Sequence, residues 1–223
     1  MTHELEVLPD AEAVAARGAE LIAARVREVA AAQDSFSIAV SGGRTPWVMF
    51  GRLEDHELPW QQTQLFQADE RVAPPGSPDR NLTHLIAALS IGAQGSLRPM
   101  PVNDDDLEAA AERYGEELPV QLDMVHLGLG PDGHTASLVP GDAVLEVSDR
   151  PVALTAGEYQ GTRRMTLTYP AIDAAREILW IVTGEEKREP LAKLLAGDES
   201  IPAGRVRPTG TSLILADLEA APN

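Results

Sequence analysis

The amino-acid sequence predicts an α/β fold, with a mostly parallel sheet that carries helices on both faces. Segments with strand character alternate with segments of helical periodicity, which is the pattern of βαβ units. The apolar runs at residues 122–129 and 177–184 have the length and branching of strands buried in a parallel sheet. Glycines follow several predicted strands, and the carboxyl ends of parallel strands are where such folds bind ligands.

Length and composition indicate one domain inside the cell. A chain of 223 residues is long enough for one sizeable core, and we expect a single domain over residues 1–223. The sequence has no basic and apolar export signal, and no apolar run approaches the roughly twenty residues that span a bilayer. We therefore expect a cytoplasmic protein without a membrane partner.

The residue types exclude several kinds of chemistry. There is no cysteine, which excludes disulfides, thiolate nucleophiles and cysteine-bound metals. The histidines at positions 3, 56, 84, 126 and 134 form no HxH or HExxH pattern, and we expect no metal site. Any nucleophile must then be a side-chain oxygen or water.

The charge balance argues against nucleic acid as a partner. The formal net charge is −17, from 35 acidic and 18 basic residues, whereas phosphate backbones require clustered lysine and arginine. An acidic surface mainly favours solubility. If the ligand is anionic, the few basic residues must converge at one place, so each one beside a glycine loop is informative.

The first predicted elements are a helix, a strand and a second helix. Residues 10–32 carry apolar side chains at helical spacing, and Asp10 is placed to cap that helix. Residues 35–41 have a β-rich apolar centre and predict a strand. The sequence SGGRTP follows at 41–46, and Pro46 suits the first turn of the next helix because its missing N–H needs no partner there.

The loop after this strand has the composition of an anion site. Backbone N–H groups of Gly42, Gly43, Arg44 and Thr45, the hydroxyls of Ser41 and Thr45, and the helix dipole would all favour a phosphate. A tight turn without a ligand is the alternative interpretation, because glycine and serine are common in turns. The loop is neither a Walker A sequence nor a GxGxxG fingerprint, which gives little support to a nucleotide.

A charged triplet ends the next predicted strand, residues 63–70. Asp69, Glu70 and Arg71 are costly at a strand end unless they are used or solvated, so they mark either a site or the start of an exposed loop. The following segments predict a helix, a short strand and a second helix, at residues 81–90, 97–102 and 106–118. We place His84 on the surface or rim of the first of these helices.

Residues 122–141, LDMVHLGLGPDGHTASLVPG, predict a strand, a glycine-rich turn and the start of a helix. The glycines end the strand abruptly and would allow a ligand to touch the main chain. Asp132 and His134 lie in this turn. Asp132 could simply cap the helix while His134 lies on the surface. Only the rest of the chain can decide between this structural role and a functional site. His126, inside the strand, is expected to be packed or hydrogen-bonded.

The last part of the chain continues the alternation. Residues 151–155 and 163–172 have strand character, residues 171–176 a short helix, 177–184 a buried strand, 185–197 a helix, and 211–218 a last strand. Lys187 lies at the start of the 185–197 helix, where the dipole disfavours a cation. Its position therefore calls for an anionic partner, although the glutamates nearby in the sequence could supply one.

Three of these stretches together resemble the 6-phosphogluconolactonase family: SGGRTP at 41–46, QADERVAP at 67–74 and GLGPDGHTASLVP at 128–140. RMTLTYPAI at 164–172 and IVTGEEK at 181–187 extend the resemblance over nearly the whole chain. It implies a three-layer α/β/α Rossmann-like domain of the sugar-phosphate isomerase type, as in ribose-5-phosphate isomerases and CoA transferases, without a nucleotide or other cofactor. It also implies hydrolysis of 6-phospho-D-glucono-1,5-lactone to 6-phosphogluconate in the pentose phosphate pathway.

The resemblance and the chemistry of lactone hydrolysis together suggest catalytic residues. His134 is the candidate base, because an ordinary histidine pKa of about 6.5 suits proton abstraction from water. Asp69 could fix the tautomer of its ring, and Arg71 could orient Asp69 or meet the developing negative charge.

Matching motifs also suggest the residues that bind the phosphate. The substrate phosphate would rest on the 41–46 loop, with positive charge from Arg44, Arg164 and Lys187. Arg163 is a weaker alternative to Arg164. The expected partner is thus a small sugar-phosphate lactone, bound by a monomer or small homo-oligomer.

Two other functions remain as alternatives. An amino-sugar-phosphate isomerase or deaminase would share the loop and the DGH turn, but its chemistry needs a carboxylate just beyond the histidine. Ser137, Leu138 and Val139 occupy that run, which favours hydrolysis. A non-enzymatic sugar-phosphate sensor would need the phosphate loop but neither Asp69 nor His134.

Overall fold

The computed structural model describes residues 3–33, 35–89 and 91–222. Ten strands are described: β1 (Glu4–Leu8), β2 (Phe36–Val40), β3 (Thr63–Gln67), β4 (Asp69–Arg71), β5 (Leu97–Arg98), β6 (Met124–Gly128), β7 (Val152–Leu154), β8 (Arg164–Leu167), β9 (Glu177–Val182) and β10 (Thr211–Asp217). The α-helices are α1 (Ala11–Ala32), α2 (Arg44–Arg52), α3 (Asn81–Ala88), α4 (Ile91–Gln94), α5 (Leu107–Glu117), α6 (Tyr169–Asp173) and α7 (Arg188–Ala196).

Seven strands form one parallel sheet in the order β1-β10-β9-β6-β2-β3-β5. Strands β2, β6 and β9 are adjacent at its centre, so the loops that follow them meet at one edge. The predicted mostly parallel α/β architecture is confirmed. Helices in the described part of the chain are too short or too polar to cross a membrane.

Helices cover both faces of this sheet, and a hydrophobic cluster lies under each layer. On one face α1 and α2 pack so closely that a Cβ at Gly18 would collide with the sulfur of Met49. On the other face Tyr114 of α5 and Leu191 of α7 pack near the buried Trp180 of β9. Asp10 caps α1 as predicted, by accepting a hydrogen bond from the Ala13 N–H at 2.8 Å.

A second, antiparallel sheet of three strands, β4-β8-β7, was not predicted. It replaces the end of the predicted 63–70 strand, because β3 stops at Gln67 and the chain changes sheets at Ala68. The Ala68 N–H donates to Val40 O in the large sheet, and its carbonyl accepts from Leu167 N in the small sheet, both at 2.8 Å. A local apolar pattern cannot reveal this change, since both bonds join residues far apart in the sequence.

The predicted start of a helix after β6 is wrong. Residues 129–142 form turns, followed by a short 3-10 turn at Ala143–Glu146. Gly133 (φ +83°) and Ala136 (φ +47°) have left-handed backbone conformations, which interrupt any helix. The turn closes on itself instead, with Gly130 N donating to His134 O at 2.8 Å.

Other differences are at element boundaries. The sequence did not predict β1, and the predicted 97–102 strand is only the two residues of β5. The predicted 163–172 strand ends at Leu167, because α6 begins at Tyr169 with proline in its first turn. The 81–90 helix ends at Ala88, and Ser90 lies outside the described residues.

Candidate active site

A cleft of about 700 Å³ opens where the carboxyl ends of β2, β6 and β9 meet the small sheet. All ten residues proposed from the sequence line it: Ser41, Gly42, Gly43, Arg44, Thr45, Asp69, Arg71, His134, Arg164 and Lys187. They come from five separate stretches of the chain. The topology therefore brings together residues that the sequence only suggested one motif at a time.

The loop between β2 and α2 forms one wall of the cleft. Gly43 is the N-cap of α2 and supplies no side-chain cap, so the first N–H groups of that helix are open to a ligand. Gly42 must lack a side chain, because a Cβ there would collide with Asn81. The buried Ser41 hydroxyl has no hydrogen-bond partner among the described residues, and Thr45 Oγ1 lies 2.8 Å from Thr183 Oγ1. The wall thus offers unused hydrogen-bond donors to an anion.

His134 is paired with Asp132. The ring Nδ1 lies 2.6 Å from Asp132 Oδ1, and none of the described residues forms a hydrogen bond with Nε2. A carboxylate only accepts hydrogen bonds, so Nδ1 carries the proton and Nε2 is free to take one. Burial opposes ionisation of Asp132, but hydrogen bonds from His134 and Tyr159 outweigh it and hold the pKa of Asp132 well below its usual range. The pair is therefore an ionised carboxylate that supports an imidazole base.

The expected pairing of Asp69 with His134 is wrong, because Asp132 already holds the ring. Asp69, in β4, instead accepts a hydrogen bond from Ser137 Oγ at 2.8 Å. Two acids lie near the histidine, and the nearer one is only two residues away in the sequence. The left-handed turn after β6 directs that closer carboxylate at the ring, which the sequence pattern could not show.

Arg71 and Arg164 are opposite one another on β4 and β8. In the described part of the chain both guanidinium groups donate to uncharged oxygens, Arg71 to Asp79 O at 2.7 Å and Arg164 to Tyr159 O at 3.2 Å. Arg71 therefore does not orient Asp69. The side chain of Arg164 is almost fully buried, and burial together with the charge of Arg71 lowers its pKa. A buried and a partly exposed positive charge side by side favour an anionic ligand.

Arg163 points away from the cleft. Its Nε donates to Thr155 O at 3.1 Å, and its Nη2 lies 3.6 Å from Glu108. Arg164 rather than Arg163 is therefore the arginine of this pair that lines the cleft.

Lys187 reaches the cleft from the start of α7. Burial lowers its pKa; the charges of Glu186 and Asp132 partly offset this effect, and Arg44 adds to it. The Glu186 carboxylate lies 3.8 Å from Nζ, longer than a hydrogen bond, and the neighbouring Glu185 and Glu189 pair with other residues. Among the described residues Lys187 thus has only a loose ion-pair partner, and it lies with Arg44 at the cleft as a second group of cations.

Three further residues of the site were not proposed from the sequence. Thr183 follows β9 and meets the loop after β2, while Asp217 at the end of β10 accepts hydrogen bonds from Gly184 N–H at 3.0–3.1 Å on its two oxygens. Tyr159 donates to Asp132 Oδ2 at 2.7 Å. The positions of Thr183 and Asp217 at strand ends could have pointed to them, whereas Tyr159 lies in a stretch without a motif.

Glu70, the middle residue of the charged triplet, supports the structure. It is fully buried, and its carboxylate accepts from the backbone N–H groups of Asn81 and Leu82 at 2.8 Å, which open α3. It also accepts from Gln67 Nε2 at 2.9 Å. A carboxylate at a helix N-terminus satisfies free donors and the helix dipole, so this charge belongs to the scaffold.

His126 and His84 lie apart from the Asp132–His134 pair. His126 is fully buried, has no hydrogen-bond partner among the described residues, and packs edge-on against Phe50 at 5.4 Å. Burial lowers its pKa to about 3. His84 stacks on Trp47 near the rim, as expected. Within residues 3–33, 35–89 and 91–222, no three acidic or histidine side chains are grouped as a metal site.

The fold and the site define a Rossmann-like α/β protein whose cleft combines basic side chains with a carboxylate–imidazole pair. The family model described as glucosamine-6-phosphate isomerases/6-phosphogluconolactonase matches residues 9–215, and the chain belongs to this family.

Individual relatives match over nearly the full chain. It is 35% identical to a 6-phosphogluconolactonase of a Nostoc species, covering 99% of this chain and 98% of that protein. The crystal structure of 6-phosphogluconolactonase from Thermotoga maritima superposes with a TM-score of 0.87 at 26% identity, covering 96% of this chain and 99% of that one. The enzyme from Trypanosoma brucei gives 0.84 at 26% identity, with 98% and 97% covered. The sequence resemblance and the three-layer fold are both confirmed.

Proposed function

We propose that the protein hydrolyses 6-phospho-D-glucono-1,5-lactone to 6-phospho-D-gluconate, the second step of the oxidative pentose phosphate pathway. The observation that carries this proposal is the Asp132–His134 pair, which lies at the same cleft as the loop at 41–45 and the side chains of Arg44, Arg71, Arg164 and Lys187. The family and the curated relatives named 6-phosphogluconolactonase support it over the whole chain.

The pair supplies general-base catalysis. His134 Nε2 takes a proton from water as the water oxygen forms a bond to the lactone carbonyl carbon, and Asp132 stabilises the imidazolium through Nδ1–H. The carbonyl oxygen becomes an oxyanion, which Arg71 stabilises. The bond from this carbon to the ring oxygen then breaks, and the imidazolium returns its proton to the leaving oxygen. The product is the open-chain carboxylic acid, which ionises.

The remaining residues bind and orient the substrate. The phosphate accepts hydrogen bonds from the loop at 41–45, with charge from Arg44, Lys187 and Arg164. Asp69, held by Ser137, is placed to accept a hydrogen bond from a sugar hydroxyl. Because the charge of phosphorylated sugars retains them inside cells, we place the reaction in the cytoplasm, carried out by a monomer or small homo-oligomer.

The isomerase or deaminase alternative is not favoured. After His134, Leu138 is fully buried, Val139 is nearly so, and the Ser137 hydroxyl is bonded to Asp69. This run therefore presents no carboxylate to the cleft, whereas proton transfer between carbons requires one.

A coupled assay with freshly generated lactone tests the proposal. Production of 6-phosphogluconate is followed with its dehydrogenase, and the spontaneous rate without protein is subtracted. We expect clear acceleration that survives EDTA, and parallel reactions with glucosamine 6-phosphate should show no ammonia release. A protein that binds 6-phosphogluconate in a calorimetric titration without accelerating hydrolysis would be a sensor, and ammonia release would make it a deaminase.

A further inference from the structure

The turn between β7 and β8 carries a tyrosine into the candidate active site. Tyr159 and Thr162 form a bridge, with Tyr159 N donating to Thr162 O at 2.9 Å. Gln160 and Gly161 between them have positive φ, which closes the chain tightly. The end of this hairpin is thus compact, and it holds the Tyr159 side chain in one position.

The side chain of Tyr159 contacts three groups of the site. Its hydroxyl lies 2.7 Å from Asp132 Oδ2 and 3.2 Å from His134 Nδ1. Its ring packs edge-on against the His134 ring, with centroids 5.3 Å apart. The guanidinium carbon of Arg164 lies 4.9 Å from the centre of the same ring, and Arg164 Nη2 donates to Tyr159 O at 3.2 Å.

The hydroxyl has a definite electrostatic role. Burial and the charge of Asp132 raise the pKa of Tyr159 to about 12, so the group is a proton donor at all working pH values. By donating to Oδ2 it leaves Oδ1 for the histidine ring. The Asp132 side chain is 35% exposed, and its hydrogen bonds from the His134 backbone and ring both end on Oδ1. Among the described residues, Tyr159 is the group that holds Oδ2.

We infer that Tyr159 is a positioning residue for the hydrolysis: its hydroxyl locks Asp132, so that His134 directs Nε2 at water, and its ring keeps Arg164 at the cleft. The inference rests on the proposed function and adds a residue that has no part in the sequence motifs. It also links base and cation physically, because one rigid side chain contacts both.

Two substitutions separate the two roles. Tyr159→Phe removes the hydroxyl and keeps the ring, so we expect kcat to fall roughly tenfold with KM within about twofold of the wild-type value. Tyr159→Ala also removes the ring beneath Arg164, so KM should rise by a further factor of about two to five. Tyr169→Phe is the matched control: it deletes a hydroxyl bonded to Pro202 O, outside the cleft, and should leave both constants unchanged.

A double-mutant cycle tests whether Tyr159 acts through Asp132. In an Asp132→Asn background, Tyr159→Phe should lower kcat by less than about twofold, because the hydrogen bond to the carboxylate is already changed. An equal loss in both backgrounds, or wild-type kcat in Tyr159→Phe, would overturn the inference. A wild-type protein that does not accelerate lactone hydrolysis would overturn the proposed function and this inference with it, whereas an active wild type with an unaffected Tyr159→Phe variant overturns the inference alone.

Discussion

Replacing Lys187 with alanine should weaken substrate binding with little effect on the chemical step. The lysine side chain is 18% exposed at the start of α7, and the carboxylate within 4.0 Å of it among the described residues is Glu186, 3.8 Å away and itself largely exposed. In the free protein the ammonium group is therefore partly desolvated without a good partner. A bound phosphate would supply one, and the contact would be present equally in the ground state and the transition state.

The size of the effect follows from these contacts. A charge-assisted hydrogen bond in a partly closed site contributes about 1.5–3 kcal/mol. Loss of the exposed pair with Glu186 subtracts no more than about 1 kcal/mol. The net loss is about 0.5–3 kcal/mol, so at about 1.4 kcal/mol per decade the Lys187→Ala variant should show a KM raised roughly two- to 140-fold.

Lys193→Ala is the matched control, since it removes the same charge from the same helix. Lys193 is exposed and bonds to Glu189, one turn earlier, so its loss should leave KM unchanged. Both variants are measured in the coupled lactone assay, and binding of 6-phosphogluconate is measured by calorimetric titration. If the two variants bind the product equally well, Lys187 does not hold the phosphate and the assignment of the cleft wall is refuted.

Three further predictions concern the base, the second arginine and the buried histidine. His134→Ala should lower kcat by about 10² to 10⁴ with KM nearly constant, and an unchanged kcat would remove His134 from the role of base. Arg164→Ala should raise KM at least roughly tenfold, whereas Arg163→Ala should not; similar effects in both would refute the distinction between them. Because burial lowers the pKa of His126 to about 3, the unfolded state takes up a proton that the folded state excludes as pH falls below about 6.5. The free energy of unfolding should therefore decrease from pH 6.5 towards pH 3, by about 5 kcal/mol from this residue. Denaturant titrations of a His126→Leu variant should show a smaller decrease in the free energy of unfolding over this pH range. An equal decrease in the variant and the wild type would contradict the reasoning.

The sequence was sufficient for the central strands of the large sheet because these strands are local features. The apolar runs at 36–40, 124–128 and 177–182 need no knowledge of their neighbours, and glycine turns mark where each ends. The proposed site residues that follow β2, β6 and β9 meet in one cleft because parallel strands place their carboxyl ends at one edge. Asp69, Arg71 and Arg164 reach the same cleft from the small sheet, which the sequence did not predict.

The sequence was insufficient wherever long-range bonds or backbone conformation decide the result. Ala68 has no property that reveals a change of sheet, because its two hydrogen bonds join residues distant in the chain. Asp132 and Asp69 were equally suitable partners for His134 by residue type, and the positive φ of Gly133 and Ala136 decides between them. Such choices depend on the folded geometry rather than on composition.

The change of sheet at Ala68 has a consequence for the rigidity of the cleft. The loop at 41–46 belongs to the large sheet, whereas Arg71 and Arg164 belong to the small one. The Ala68 peptide is bonded to Val40 in one sheet and to Leu167 in the other. Main-chain hydrogen bonds therefore set the relative position of these two walls before any ligand binds.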